Sequence, residues 1–338
     1  MQNWSFSFYF EITVLEISES IEEERKMREI WSSNLTAEMI KMDKAARECR
    51  YVSIDTEFPG FLKSSARDAD LFKCYEDLEF NVSNLKLIQL GLTFSDVNRL
   101  QSRTGDKTWQ INFKDFNPSS DIHVSRSIEL LTRSGIDFQR NKEEGVDSKL
   151  FTEKFNNIIH YNPNLKWITF HGLYDLAYLV KLLNNNQLPT CLDGFLQVLR
   201  DTFGELYDVK YMAGFLLRGE IGLERLANIL EVKRIGASHQ AGSDSLLTND
   251  IFWKIKNQLS NINEDKYQDC LYGTAKEPIF LHFYWAKVNK NHPIFDPTQR
   301  SHAYYSTSEL PHPVYYEGLL YGPCAFQGNA NYNIGNFK

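Results

Sequence analysis

The sequence has no CxxC pair and no internal repeat, and no apolar stretch long enough to cross a bilayer. Its five cysteines, Cys49, Cys74, Cys191, Cys270 and Cys324, are odd in number and scattered. Such a set supports neither a disulfide framework nor a zinc ribbon, and it fits a reducing compartment. Without about 18 consecutive apolar residues no transmembrane helix is predicted, and no membrane partner is expected. The opening stretch MQNWSFSFYFEITVLEISES is apolar and aromatic, but it lacks a basic leading segment and carries Glu11 within the run, which argues against a secretory signal. Positive charge is also short. Lys and Arg total 37 against 44 Asp and Glu, a formal net charge of −7. A protein that grips nucleic acid mainly by neutralising phosphates would be basic, so a strong nonspecific grip is not expected. A carboxylate site filled with divalent cations is a different case, because the ions reverse the local charge and can accept phosphate.

What the chain does have is apolar content. Hydrophobic residues make up 42% and aromatics 14% of 338 residues, which excludes a wholly disordered chain. Three regions differ in composition. Residues 1–27 form a leader with no assigned role. Residues 28–272 read as one continuous α/β domain. Residues 273–338 hold six of the ten prolines and aromatic pairs such as Tyr304-Tyr305 and Tyr315-Tyr316. With no helical or alternating period, this tail is expected to be loop-rich or partly disordered.

Inside the middle region the periods alternate. Residues 36–49 predict a helix, with Thr36 as cap and Met39, Ile40 and Ala46 along one side. Tyr51–Phe58, Lys86–Phe94 and Thr108–Phe113 read as strands, joined in an antiparallel meander. Helices are expected over 123–135 and 147–159, and a short buried strand over Trp167–Phe170. In Tyr174–Leu183, residues Leu176, Leu179, Val180 and Leu183 fall on one helical face. Helices from Gly222 to Val232 and from about Ser243 to Leu259 close the domain, the last with Leu247, Ile251, Ile255 and Leu259 as its stripe. A meander followed by strand–helix crossovers predicts a mixed sheet with helices on both faces.

Three short motifs carry chemistry. Asp55 and Glu57 stand two apart at the end of a strand, so their side chains point the same way, about 6–7 Å apart along the backbone. Two bare carboxylates that close repel, so one keeps a proton or a cation sits between them, and hard divalent cations prefer such oxygen ligands. Asp175, in Phe170-His171-Gly172-Leu173-Tyr174-Asp175, stands at a helix start, where a carboxylate also satisfies free N–H groups and the helix dipole. His239 and Asp244 lie five apart in Ser238-His239-Gln240-Ala241-Gly242-Ser243-Asp244. On one helix they would be about 140° apart, so Gly242 is expected to break the period, Ser243 to cap a new helix and His239 to sit on a loop ahead of it. Singly, these motifs read as a solvated strand end, a cap, and a capping acid beside a surface histidine.

Together they resemble the DEDD exonucleases of the subgroup that uses histidine. The closer resemblance is to the Caf/Pop-type deadenylases, catalytic subunits of the Ccr–Not complex. It is carried by Asp55-Thr56-Glu57-Phe58-Pro59-Gly60, by Leu85 through Phe94, by Ser127-Ile128-Glu129-Leu130-Leu131, by Tyr207-Asp208-Val209-Lys210-Tyr211 and by His239 through Thr248, with Trp31, Asn34-Leu35 and Glu38-Met39 fitting the family's first helix. The resemblance covers roughly residues 28–272 and implies an RNase H-like fold. It also implies removal of poly(A) from the 3′ end of mRNA with release of 5′-AMP, in cytoplasm and nucleus. Asp55, Glu57, Asp175 and Asp244 would then bind two divalent ions (Mg2+ or Mn2+) and His239 would be the general base, with no tightly bound organic cofactor. The implied partners are the 3′ end of poly(A) RNA, the Ccr–Not scaffold and a second deadenylase subunit. Phe58 and Tyr174 are candidates for stacking a terminal base, with core packing as the other reading. Asp208 is expected to serve packing and local hydrogen bonding, and His171 to be a satisfied histidine near the site. The family's usual Ser-Gly is replaced by Gly172-Leu173, and Leu173 is expected to narrow the approach to Asp175. A catalytically weak adaptor with the same fold is the competing expectation, and a DNA-directed proofreading-type exonuclease is a second.

Overall fold

The computed structural model describes residues 27–66, 69–96, 107–184, 187–217, 220–263 and 266–273. The expectations for the leader and the tail therefore fall outside the described residues, apart from Met27 and Gly273. Six strands, β1 (Arg28–Ile30), β2 (Tyr51–Glu57), β3 (Gln89–Ser95), β4 (Lys107–Asn112), β5 (Lys166–Thr169) and β6 (Leu206–Asp208), form one mixed sheet in the order β1-β4-β3-β2-β5-β6. β2, β3 and β4 pair antiparallel, as the meander predicts, while β5 runs parallel to both β2 and β6. The connections are not all short: a helix, Leu71–Asn84, lies between β2 and β3.

Ten helices accompany the sheet among the described residues: α1 (Leu35–Glu48), α2 (Leu71–Asn84), α3 (Ser125–Arg133), α4 (Phe138–Glu144), α5 (Ser148–Tyr161), α6 (Leu173–Leu183), α7 (Leu192–Phe203), α8 (Val209–Ala213), α9 (Leu223–Ile229) and α10 (Ala241–Gln258). α1 departs from expectation in two details. Its N-cap is Asn34 rather than Thr36, and the Asn34 carboxamide accepts from the Trp31 N–H instead of capping the helix. Its buried stripe is Leu35, Met39, Met42, Ala45 and Ala46, whereas Ile40 faces solvent. The expected stripe of α10 is borne out, with Leu247, Ile251, Ile255 and Leu259 all buried. Each such aliphatic burial stabilises by roughly 1.5–3 kcal/mol.

β2 shows how the two faces are used. Successive strand residues point to opposite sides. Tyr51 belongs to the cluster containing Phe252 and Trp253 of α10, and the Ser53 hydroxyl donates to the Ser245 carbonyl of α10 at 2.7 Å. Val52 and Ile54 pack instead with α1, α2, α5, α6 and α7. Helices thus cover both faces, and Asp55 and Glu57 share the α10 face with Tyr51 and Ser53.

At its first residue α10 meets β3 backbone to backbone. A Cβ at Gly91 of β3 would lie 1.8 Å from the Ala241 carbonyl oxygen. Backbone cannot yield as the tip of a flexible side chain can, so the strand carries glycine where the helix begins. Gly91→Ala is expected to destabilise the fold by about 2 kcal/mol or more, as overpacking does. Urea denaturation with a chelator present checks this, and an unchanged midpoint would contradict the close approach.

Candidate active site

The end of β2 and the start of α10 bring the central residues together. One ligand atom each from Glu57, His239 and Asp244 lie within 4.8 Å of one another. Asp55 shares their electrostatic neighbourhood. Burial pushes its carboxyl well above the usual range, and the charges of Asp175, Asp244 and Glu57 push it further. Glu57 is raised by burial first and then by Asp244 and Asp175. Four acids from three separate segments of the chain therefore form a single electrostatic cluster.

Asp175 arrives from the other face. It sits in the first turn of α6, only 7% exposed. Thr56, the residue between the two β2 acids, donates its hydroxyl to Asp175 Oδ1 at 2.5 Å. One strand end thus presents two carboxylates on one side and holds a third with the alternate side chain. Burial raises the Asp175 carboxyl to about 7, and the Thr56 bonds moderate the rise.

Asp244 lies in the first turn of α10 and is 6% exposed. Its two oxygens have separate donors: Arg234 Nη1 reaches Oδ1 at 2.6 Å and the His239 backbone N–H reaches Oδ2 at 2.9 Å. Burial raises its carboxyl, with Arg234 opposing. Arg234 also binds Glu224 at 2.7 Å, which ties α9 to the site. Neither Arg234 nor Thr56 stood out in the sequence. Arg234 lies in an unremarkable Lys233-Arg234 pair, and its role follows only from the loop that folds it back ten residues onto Asp244.

His239 is exposed and has φ 58°. The break that frees it is two residues earlier than expected. α10 begins at Ala241 with Gln240 as N-cap, and Gly242 and Ser243 lie inside the first turn. Ser243 caps nothing; its hydroxyl donates to the Ile235 carbonyl at 2.8 Å.

Asp208 performs the local bonding expected of it. Fully buried, it accepts from the backbone N–H groups of His171, Gly172, Lys210, Tyr211 and Tyr272, at 2.9 to 3.3 Å. It thereby anchors the turn that delivers Asp175. His171 adopts φ 57° there and stacks edge-on against Tyr272. Leu173 opens α6 and packs against the main core. A Cβ at Gly172 would lie 2.1 Å from the Thr169 Cβ, so the glycine fits the turn around that threonine. Phe58 and Tyr174 stack on each other at 5.6 Å and Phe58 on Tyr178 at 4.8 Å, so these ring faces are partly occupied by packing. The Tyr174 hydroxyl accepts from the Asn81 amide at 2.9 Å. Phe61, 48% exposed, packs edge-on against both Phe58 and Tyr174.

Hard oxygen donors, mutual repulsion and one exposed imidazole are a donor set suited to divalent cations. The comparisons agree with that chemistry. The profile of the CAF1 family ribonuclease matches residues 30–157. The Arabidopsis thaliana protein "Probable CCR4-associated factor 1 homolog 7" is 42% identical over 262 residues, 75% of this chain and 94% of that protein. The chain belongs to the CAF1 ribonuclease family. Among solved structures, the Mg2+- and Mn2+-bound form of S. pombe Pop2p is similar at 38% identity and TM-score 0.66, covering 73% of this chain and 99% of that one. Yeast CAF1, co-crystallized with the NOT1 MIF4G domain, is similar at 28% identity and TM-score 0.62, over 73% and 96%. Membership of the family bears out the resemblance read from the motifs, and the RNase H-like fold with it.

The raised carboxyls give a signed prediction. An acid whose folded pKa exceeds its unfolded value stabilises the fold at low pH and loses that contribution as pH rises through the folded value. For Asp175 the loss runs from its ordinary value near 3.8 up to about 7. With a chelator present, the melting temperature is expected to rise as pH falls from 8 to 5.5, and Asp175→Asn is expected to flatten that slope. Scanning fluorimetry across this range decides it; equal slopes in the two proteins would refute the shift.

Proposed function

We propose that the chain is a metal-dependent 3′→5′ exoribonuclease that shortens poly(A) tails as part of a Ccr–Not assembly. The observation that carries the reading is the convergence of Asp55, Glu57, Asp175 and Asp244 with His239 at one strand end, in a member of a ribonuclease family. The four acids are assigned to two divalent cations. This is supported by the Pop2p structure described as Mg2+- and Mn2+-bound. Bound there, the cations would offset the repulsion and polarise a scissile phosphate.

The chain's own residues supply the rest. Asp55 and Glu57, fixed by strand pairing to β3, provide the rigid floor. Asp175 is oriented by Thr56. Asp244 is held at both oxygens, so little reorientation is required of it. His239, at the exposed rim, accepts the proton of the attacking water as general base. The leaving group is the 3′ oxygen of the shortened RNA, and the released product is 5′-AMP. Phe58 and Tyr174, with exposed Phe61 beside them, are assigned to the terminal nucleotide, since stacking needs little positive charge and the chain is acidic overall. Assembly with a Ccr–Not scaffold is supported by the likeness to yeast CAF1 crystallized with NOT1. The adaptor alternative is disfavoured because a scaffold needs no clustered buried acids.

Asp55→Ala and Asp244→Ala are expected to abolish nearly all release of 5′-AMP from an RNA ending in oligo(A), while remaining folded by circular dichroism. Wild-type rates from either would remove the assignment. His239→Ala is expected to slow the reaction by on the order of 10²–10⁴-fold, the range for a positioned acid–base group. A loss under threefold would show that another group takes the proton.

A further inference from the structure

The first turn of α10 carries backbone N–H groups that no residue of its own helix can satisfy. Such ends ordinarily use a Ser, Thr, Asp or Asn at the N-cap. Here the N-cap is Gln240, whose side chain makes no capping bond. The amides are met from the sheet instead. The Ala241 N–H donates to Gln89 Oε1 of β3 at 3.3 Å, and the Gly242 N–H donates to Gln110 Oε1 of β4 at 3.2 Å. The same two glutamines also hold the residue before them. Gln89 Nε2 and Gln110 Nε2 both donate to Gln240 Oε1, at 3.1 and 2.8 Å. Gln240 Nε2 donates in turn to the Ser134 carbonyl at 2.9 Å, and Gln89 Nε2 also reaches Asn112 Oδ1 at 2.7 Å. All three glutamines are buried.

We propose that Gln89, Gln110 and Gln240 form a clamp that sets where His239 and Asp244 stand relative to Asp55 and Glu57, and that they are positioning residues for the nuclease reaction. The placement argues it. Gln240 is the neighbour of His239, and Asp244 donates its backbone N–H to the Gln240 carbonyl at 2.9 Å. Gln89 pairs directly with Glu57 in the β2–β3 register. Each sheet glutamine grips two points that lie two to four residues ahead of Asp244, so a slide of α10 along β3 breaks four hydrogen bonds at once. The choice of amide also follows from charge. An aspartate cap would add a fifth carboxylate beside four that already repel, whereas a carboxamide accepts the same N–H with no net charge. Gly91 and Gly242 complete the fit. A Cβ on Gly242 would lie 2.9 Å from the Gln110 Cβ, so the close approach that lets the amides reach depends on both glycines.

The catalytic part of the proposal rests on the nuclease reading; the clamp itself does not. The test uses the full chain with Gln89→Met and Gln110→Met, which keep side-chain length and remove the amide. Ser95→Ala is the control. Ser95 donates to Asn249 at 2.7 Å and accepts from Trp253 at 3.1 Å, so it bonds the same helix to the same strand farther along. Three quantities are read: hydrogen exchange of the Ala241 and Gly242 amides, Mn2+ affinity by calorimetry, and kcat and KM on oligo(A) RNA. Each Met variant is expected to lose protection at those amides, to weaken Mn2+ binding about tenfold or more, and to lower kcat by about 10- to 100-fold with KM within twofold. Ser95→Ala is expected to change none of the three by more than about twofold, whatever its melting temperature.

Unchanged protection at the two amides in both Met variants overturns the clamp. Faster exchange with wild-type Mn2+ affinity and kcat overturns its positioning role. An equal loss in Ser95→Ala, scaling with melting temperature, shows general destabilisation and also overturns it. If one Met variant does not fold, the other decides. A wild-type protein without activity on RNA would refute the nuclease reading, while the exchange data would still test the clamp.

Discussion

Repulsion among four carboxylates at the end of one strand is the constraint that organises this molecule. Asp55, Glu57, Asp175 and Asp244 are all driven toward the protonated form, chiefly by burial, and for Asp55 and Glu57 also by the charges of Asp175 and Asp244. A fold that gathers such groups must hold them by means that add no further negative charge. The surroundings answer with Arg234 on Asp244, a threonine hydroxyl on Asp175, and glutamine amides at the start of α10. In the CAF1 family setting, the same stored repulsion favours binding of divalent cations.

The geometry that achieves this is economical in sequence. β2 sends alternate residues to opposite faces, so one seven-residue strand provides two acids toward α10 and a hydroxyl toward α6. The two helices deliver one acid each from their first turns, where the helix dipole favours an anion. The sheet orders these contributions because β2 lies at its centre, between β3 and β5.

The acids were legible in the sequence because their signals are local: a DxE pair on a strand, and acids opening helices with clear apolar stripes. His239 was legible through its spacing to Asp244, which one helix cannot satisfy. The supporting residues were not. Arg234, Gln89 and Gln110 act on α10 from 10, 152 and 132 residues away along the chain, and no local pattern marks such bonds. Misplacing the start of α10 by two residues has the same origin. Ser243 reads as the cap because caps are usually local, whereas the sheet supplies the partners here. β1, three residues long, is too short to show a period, and Ile40 reads as part of the buried side although it faces solvent, because an apolar residue on an exposed helix face breaks no rule.

The way α10 is fastened also says where the protein can change. Both glycine contacts and all the glutamine bonds fall within its opening residues, while the remainder of its 18 residues combines apolar packing with the bonds that Ser53 and Ser95 make to Ser245, Asn249 and Trp253. The segment just beyond Leu259 shares in fixing the site, because the Tyr272 N–H reaches Asp208 and the Tyr272 ring meets His171; divergence between relatives on that side is therefore confined to positions that leave those contacts intact.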